Sequence, residues 1–182
     1  MSKYHVNQED AVLVIIDIQE RLMNAMAERD QVYKNTALLV ETAKQFNMPI
    51  IVSEQYPRGL GSTVAEIKDH LEDYQHQYIE KTSFSVSDQL LEIMPPGRKT
   101  LIVTGTETHV CVYQTVRNMV EAGYNVHVAK DAVCSRYEIN YSNGLALMRD
   151  AGAVISNTET IVFDLLKISG TPEFKAISPL LK

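Results

Sequence analysis

The sequence contains no tryptophan, two cysteines and no run of basic residues. Its 23 Asp and Glu side chains outnumber 17 Lys and Arg, which gives a net charge of −6. Because no basic patch offsets phosphate charge, we expect neither a nucleic acid nor an anionic membrane surface as a partner. No apolar stretch approaches the length that spans a bilayer, so no transmembrane segment is expected.

The scarcity of cysteine, with Cys111 and Cys134 alone, also bears on the compartment. Residues 1–10 are polar and lack the apolar core of a signal peptide. We therefore predict reduced thiols and a cytoplasmic location. A mitochondrial location stays open, although Glu9 and Asp10 argue against a transit peptide. The length of 182 residues predicts one domain, residues 1–182, that buries its core without disulfides or metals.

Short apolar runs alternate with segments of helical periodicity. Strands are predicted at 11–16, 49–52, 78–81, 101–103, 126–129 and 154–156. Helices are predicted at 30–47, 63–74, 88–94, 112–123, 140–150 and 160–168, and the helix at 160–168 is expected to be the last one in the chain. Residues 53–61 are predicted to form a loop. This alternation predicts an α/β fold with right-handed crossovers and a parallel sheet that is covered by helices on both faces.

Three chemically useful side chains stand at the ends of these strands: Asp17, Lys81 and Cys111. The carboxyl ends of parallel strands meet at one edge of the sheet, where such folds place their sites. A carboxylate and an ammonium beside a thiol supply a base and a counter-charge for a nucleophile. Taken singly, each residue also fits a structural role: a turn aspartate, a solvated lysine and an inert buried thiol.

The position of Cys111 gives a further expectation. It lies in or just before the first turn of the helix predicted over 112–123. The unpaired N–H groups of a helix start and the positive end of its dipole favour a thiolate, so we predict a lowered pKa for Cys111. Cys134 has no charged neighbour that would activate it and is predicted to be structural.

Three segments resemble, in this order, the motifs of the isochorismatase-like cysteine hydrolases: VIIDIQ (14–19), EKTSFS (80–85) and GTETHVCV (105–112). This superfamily includes nicotinamidases and N-carbamoylsarcosine amidase, and the resemblance runs from residue 12 to about residue 160. It implies a three-layer α/β/α, Rossmann-like fold with a six-stranded parallel sheet of order 3-2-1-4-5-6. It also implies an Asp17–Lys81–Cys111 triad, a cis peptide between Thr106 and Glu107, and an oxyanion hole from the backbone N–H groups of Glu107 and Cys111.

The segment 54–61 and the tail 174–177 resemble the branch of isochorismatase-domain-containing hydrolases. Isochorismatase itself lacks the cysteine, so Cys111 indicates cleavage of an amide or carbamoyl C–N bond in a small molecule. Because the family often forms dimers or tetramers, a homo-oligomer is expected. We expect four further residues to line the substrate pocket: Gln19, Tyr56, Phe84 and Tyr137.

No metal or organic cofactor is expected. Nicotinamidases of this family carry an Asp-x-His metal pair after the second strand, and the matching positions here fall on or near Gln55 and Pro57. Neither side chain is a useful metal ligand, and Glu54 alone leaves too few ligands unless His70 and His76 converge on it. We therefore predict that the protein is not a nicotinamidase.

Two functions of other classes stay open. The chain could keep the family fold and act as a binding or scaffolding subunit, which an intact triad disfavours. It could instead associate with RNA, which its acidic charge disfavours more strongly.

Overall fold

In a computed structural model that describes residues 2–181, six parallel strands form one sheet with helices on both faces. The strands are β1 Ala11–Ile16, β2 Ile50–Gln55, β3 Gln77–Lys81, β4 Thr100–Thr106, β5 Asn125–Cys134 and β6 Val154–Ser156. The helices are α1 Glu20–Met23, α2 Arg29–Gln45, α3 Pro57–Leu60, α4 Ala65–Leu71, α5 Ser87–Ile93, α6 Tyr113–Glu121, α7 Glu138–Asp150, α8 Thr158–Leu166 and α9 Pro172–Ile177. A π-helical turn, Thr108–Val112, precedes α6, and a 3-10 turn, Ser178–Leu181, follows α9.

The strand order is β3-β2-β1-β4-β5-β6, which confirms the order that the family resemblance implied. Strand β1 is central and pairs with β2 on one side and β4 on the other. The chain therefore extends the sheet first in one direction and then in the other. The crevice at this reversal lies beyond the carboxyl ends of β1 and β4.

The two faces of β1 belong to two separate hydrophobic cores. Leu13 and Ile15 pack into the core that includes residues of α2, α4, α8 and α9, whereas Val12 and Val14 face the core that includes residues of α5, α6 and α7. This alternation follows from the two-residue repeat of a strand. Because both faces are covered, β1 is apolar at every position until Asp17, and that residue follows it at the edge of the sheet.

Two predicted boundaries on the site side were wrong. The segment 53–61 is not one loop, because β2 continues to Gln55, where it pairs with Lys81 of β3, and α3 follows. Strand β5 does not end at residue 129 but runs to Cys134, with a register shift against β4 between Val103 and Gly105. Long-range pairing supplies these extensions, and the local apolar pattern does not show it.

The helix predicted over 160–168 is not the last one. Helix α9 follows it, with Pro172 in its first turn and the Thr171 side chain accepting a hydrogen bond from the N–H group of Phe174. The α-helix predicted from residue 112 instead begins at Tyr113, after the π-helical turn. Across residues 2–181, no helix is both long and apolar enough to cross a bilayer.

Gly105 permits the close approach of β4 to the end of β1. Its φ of 138° lies in the region that favours glycine, and an added Cβ would lie 2.1 Å from the carbonyl oxygen of Ile16. Only a residue without a side chain fits this close to the backbone that leads into Asp17. The glycine therefore brings the start of the π-helical turn next to the end of β1.

Candidate active site

Asp17 is the first residue after β1 and is fully buried, with a left-handed φ of 52°. Its carboxylate has two fixed partners: Oδ1 accepts from the Ser53 hydroxyl at 2.8 Å, and Oδ2 accepts from Lys81 Nζ at 2.6 Å. Its carbonyl oxygen accepts from the Thr106 hydroxyl at 2.6 Å. The tip of β1 is thereby tied to β2, β3 and β4 at once.

Lys81 ends β3, and its side chain is fully buried. Besides Asp17, the ammonium donates to Gln55 Oε1 at 2.8 Å and to the carbonyl oxygen of Ser83 at 3.3 Å. A buried ion pair is tolerated only when its remaining donors and acceptors are satisfied. Here the three hydrogens of the ammonium match three oxygens, so Lys81 serves as a fixed positive charge.

Cys111 lies in the π-helical turn and is 6% exposed. Burial, and then the negative charge of Asp17, raise the pKa of its thiol to about 12, while the charge of Lys81 acts to lower it. The prediction of a lowered pKa was therefore wrong, because burial and the carboxylate outweigh the ammonium and the helix start. A hydrogen bond with Asp17 contributes to the same shift. Cys111 thus lies beside the Asp17 carboxylate, in surroundings that disfavour its thiolate form.

The peptide bond between Thr106 and Glu107 is cis. The Glu107 side chain turns toward the end of β5, where it accepts from the Arg136 backbone N–H at 3.0 Å and from Arg136 Nε at 3.2 Å. Arg136 remains about half exposed. This ion pair closes one side of the crevice, next to the turn that carries Cys111.

A small cavity opens beside the thiol. Its volume is about 260 Å³. It is lined by four side chains that are mainly apolar and four that carry polar atoms: Leu22, Leu60, Phe84, Val110, Gln55, Glu107, Cys111 and Arg136. Pockets for drug-sized ligands span roughly 300–1,000 Å³, so this one suits a smaller molecule.

Of the four residues expected to line the pocket, Phe84 borders this cavity beside Cys111. Tyr137 is exposed and is not among the residues that line it, and Tyr56 borders a neighbouring groove that Lys81 also lines. The expectation for Gln19 was wrong, since this residue is fully buried and its amide binds main-chain groups.

Sequence reasoning missed Ser53 and Gln55, which hold Asp17 and Lys81. A signal existed, because both follow the apolar run of the second strand and thus reach the same edge of the sheet. Arg136 was missed because the predicted fifth strand stopped at residue 129, so its position near the site was not visible.

Glu54, the carboxylate next to the positions that the family resemblance matched to a metal pair, is engaged in hydrogen bonds. Glu54 accepts from the Thr63 N–H at 2.5 Å, from the Thr63 hydroxyl at 2.7 Å and from the Tyr78 hydroxyl at 2.5 Å. His70 instead contacts Glu41, at 2.8 Å. In the part of the chain that the structure describes, no three His, Cys, Asp or Glu residues group as a metal site would require. Metal independence stays a prediction.

Gly144 of α7 gives a first test of how tightly Cys111 is placed. An added Cβ would lie 3.0 Å from backbone atoms of Thr108 and His109 in the π-helical turn. Gly144→Ala should push this turn by a few tenths of an ångström and lower kcat roughly threefold to tenfold, since misplacement of reacting groups is costly. Steady-state kinetics beside Asn143→Ala, an exposed position on the same helix, measures this. Equal kcat values for the two variants would show that the turn tolerates the shift.

Comparison with known proteins agrees with this fold. The Isochorismatase domain family matches residues 11–160. The secreted isochorismatase effector Isc1 of Phytophthora sojae is 39% identical over 177 residues, covering 94% of this chain and 84% of the relative.

Three solved structures have closely similar folds, each with a TM-score of 0.89. The MAR1 ribonuclease of Caenorhabditis elegans is 31% identical, covering 97% of this chain and 92% of its own. YcaC of Pseudomonas aeruginosa, solved with hexane-2,5-diol and covalent acrylamide, is 25% identical over 99% of this chain and 93% of its own. YcaC of Escherichia coli, described as an octameric hydrolase of unknown specificity, is 25% identical over 98% and 89%. The family match covers most of the chain and includes the strand ends that carry Asp17, Lys81 and Cys111, and the chain belongs to the isochorismatase family.

Proposed function

We propose that this protein is a cysteine hydrolase that cleaves an amide or carbamoyl C–N bond of a small molecule through a thioester on Cys111. The observation that carries the proposal is the buried Asp17–Lys81 ion pair, with Nζ and Oδ2 2.6 Å apart, beside a buried thiol. A nucleophile that lines the cavity thus has a carboxylate base and a balancing positive charge acting on it.

The reaction proceeds in two halves. Asp17 accepts the thiol proton of Cys111 as the sulfur attacks the carbonyl carbon, and the backbone N–H groups of Glu107 and Cys111 stabilise the oxyanion. Asp17 then returns the proton to the leaving amine, and the C–N bond breaks to leave a thioester. Water, deprotonated by the same carboxylate, attacks the thioester, and the acid and the free thiol are released. Amide and water are consumed, acid and amine are formed, and no cofactor enters.

The charges of the site fit this order of reaction steps. Lys81 offsets the charge of Asp17 throughout, so the thiol proton moves to a carboxylate that the ammonium holds in place. Because burial and the charge of Asp17 raise the pKa of Cys111, the thiol needs a base to take its proton, and Asp17 is the carboxylate beside it. The covalent acrylamide in YcaC of Pseudomonas aeruginosa supports a reactive nucleophile in that relative, because acrylamide alkylates nucleophiles such as thiols at its double bond.

The assembly and setting of the protein are part of the same proposal. The octameric YcaC of Escherichia coli supports a homo-oligomer, of which a dimer or tetramer is the form expected from sequence. Residues 1–182 are proposed to act as one domain, in the cytoplasm. The Phytophthora sojae relative is a secreted effector, which is a different location from the one proposed here.

The ribonuclease from Caenorhabditis elegans raises a second candidate function, RNA cleavage. The net charge of −6 and the cavity of about 260 Å³ favour a small uncharged group over a polynucleotide. A third possibility is a silent binding subunit, which would retain ligand binding without turnover.

The deciding experiment is ammonia release from a panel of small amides, ureas and carbamoyl compounds, with RNA degradation measured in parallel. The wild type, Cys111→Ala and the matched control Cys134→Ala are compared. We expect ammonia release that only Cys111→Ala removes, and no RNA cleavage. Cys111-dependent RNA cleavage would favour the ribonuclease, and binding without release would favour the silent subunit.

Metal removal gives a further prediction. Because Glu54 is committed to Thr63 and Tyr78, and Gln55 to Lys81, activity on the best amide should be unchanged by a chelator. Nicotinamide should not be deamidated, with or without added metal. Protein purified without a histidine tag is analysed for metal content and assayed on both compounds. Stoichiometric metal, or ammonia release from nicotinamide that a chelator stops, would contradict the prediction.

A further inference from the structure

Gln55, the last residue of β2, lies beyond the residues of β2 that pair with β1. The final register pair between β1 and β2 joins Ile16 to Ser53, after which Asp17 turns away with a left-handed backbone. The side chain of Gln19 makes the hydrogen bonds to Gln55 that a longer β1 would make. Its Oε1 accepts from the Gln55 N–H at 2.7 Å, and its Nε2 donates to the Gln55 carbonyl oxygen at 3.0 Å.

Gln19 is itself fixed. It is fully buried, and its Nε2 also donates to the carbonyl oxygen of Gly61 at 2.7 Å. One amide thus binds both main-chain groups of Gln55, as a neighbouring strand would. The backbone of Gln55 is therefore held on the β1 side by Gln19 and on the other side by its pairing with Lys81.

The side-chain amide of Gln55 has its direction set by a second contact. Its Nε2 donates to the carbonyl oxygen of Thr82 at 2.8 Å, which leaves Oε1 to accept from Lys81 Nζ at 2.8 Å. An amide turned the other way would bring NH₂ against the ammonium and oxygen against a carbonyl, which is repulsive at both ends. Gln55 also lines the cavity beside Cys111.

We propose that Gln55, oriented by Gln19, is a positioning residue that fixes the Lys81 ammonium against the Asp17 carboxylate. A neutral acceptor is suited to this role, because it holds the ammonium without adding charge. The proposal rests on the proposed function for its catalytic meaning, but the placement of Lys81 can be measured without any substrate.

The position of the Lys81 ammonium affects how readily the Cys111 thiol ionises. The charge of Lys81 acts to lower the pKa of Cys111, against burial and Asp17. If Gln55 no longer holds the ammonium in place, the thiol ionises less readily and reacts more slowly with an electrophile. A role of Gln55 limited to folding would leave that reactivity unchanged.

The test measures alkylation of Cys111 by acrylamide as a function of pH, followed by intact mass in a Cys134→Ala background. Gln55→Met removes the acceptor at similar volume, and Gln77→Met, exposed at the other end of β3, is the matched control. We expect alkylation about threefold to tenfold slower in Gln55→Met at a given pH, and no change in Gln77→Met. On an active amide, kcat should fall by a similar factor with KM nearly unchanged. Equal alkylation rates for the two variants would overturn the proposal.

Gln55→Leu also removes the acceptor at a similar volume, so it decides the matter if Gln55→Met does not fold. It should make alkylation of Cys111 about threefold to tenfold slower than in the wild type, because the ammonium loses the same contact. A wild-type alkylation rate in Gln55→Leu would also overturn the proposal. Ammonia release that persists in Cys111→Ala would instead count against the proposed function. The alkylation results would not be affected, because they need no substrate.

Discussion

Cys111→Ala is expected to lower turnover of any hydrolysed amide by about 10⁴-fold or more, whereas Cys134→Ala leaves it near the wild-type value. Removal of a covalent nucleophile has effects of this order, because the remaining groups cannot form the intermediate. Both thiols are buried, and burial raises the pKa of each to about 12. Burial therefore does not distinguish the two thiols.

The difference lies in what surrounds each thiol. Cys111 is next to the Asp17 carboxylate, and the Lys81 charge acts on it, whereas the charges that act on Cys134 are those of Glu107 and Glu28, both negative. Only Cys111 thus has a base and a balancing cation. Ammonia release measured for both variants, with folding checked by circular dichroism, tests this. Residual turnover in Cys111→Ala within tenfold of wild type would exclude a covalent role.

Asp17→Asn is expected to separate the acidity of the thiol from turnover. The Asp17 charge and its hydrogen bond raise the pKa of Cys111, so their loss should lower that pKa and speed alkylation by acrylamide at a given pH. Turnover should nevertheless fall about 10²- to 10⁴-fold, because asparagine can neither accept the thiol proton nor protonate the leaving amine.

The measurement is a pH profile of alkylation beside kcat. In the wild type, a pKa of about 12 means that alkylation rises roughly tenfold per pH unit, without a plateau, through pH 10. In Asp17→Asn the plateau should move to lower pH. Asp88→Asn, at an exposed position in α5, is the control. Near-wild-type turnover in Asp17→Asn would overturn the assignment of Asp17 as the base.

The positions of Asp17 and Lys81 could be predicted because Asp17 directly follows a predicted strand and Lys81 ends another. An apolar run such as 11–16 is buried on both faces, so the first charged residue after it marks the edge of the sheet. The pKa of Cys111 could not be predicted in the same way. It depends on how deeply the π-helical turn is buried and on the approach of Asp17, and both are set by long-range packing.

The contacts of Gln19 and Gln55 could not be predicted from the sequence either, because they depend on how the strands are assembled. Gln19 was expected to line the pocket, yet its amide replaces strand pairing for Gln55. That need arises only where β1 ends before β2, and this offset is a property of the assembled sheet. Arg136 was hidden for a similar reason, since pairing with β4 extends β5 beyond the apolar run 126–129.

The most direct test of the covalent mechanism is to let hydroxylamine compete with water during turnover of the most active amide. If a thioester forms on Cys111, hydroxylamine should capture the acyl group as a hydroxamate, its share of product rising with hydroxylamine concentration while the rate of ammonia release is not diminished. Hydroxamate should be missing in Cys111→Ala. Steady ammonia release in the wild type, with the free acid as the sole product at every hydroxylamine concentration, would contradict a thioester on Cys111.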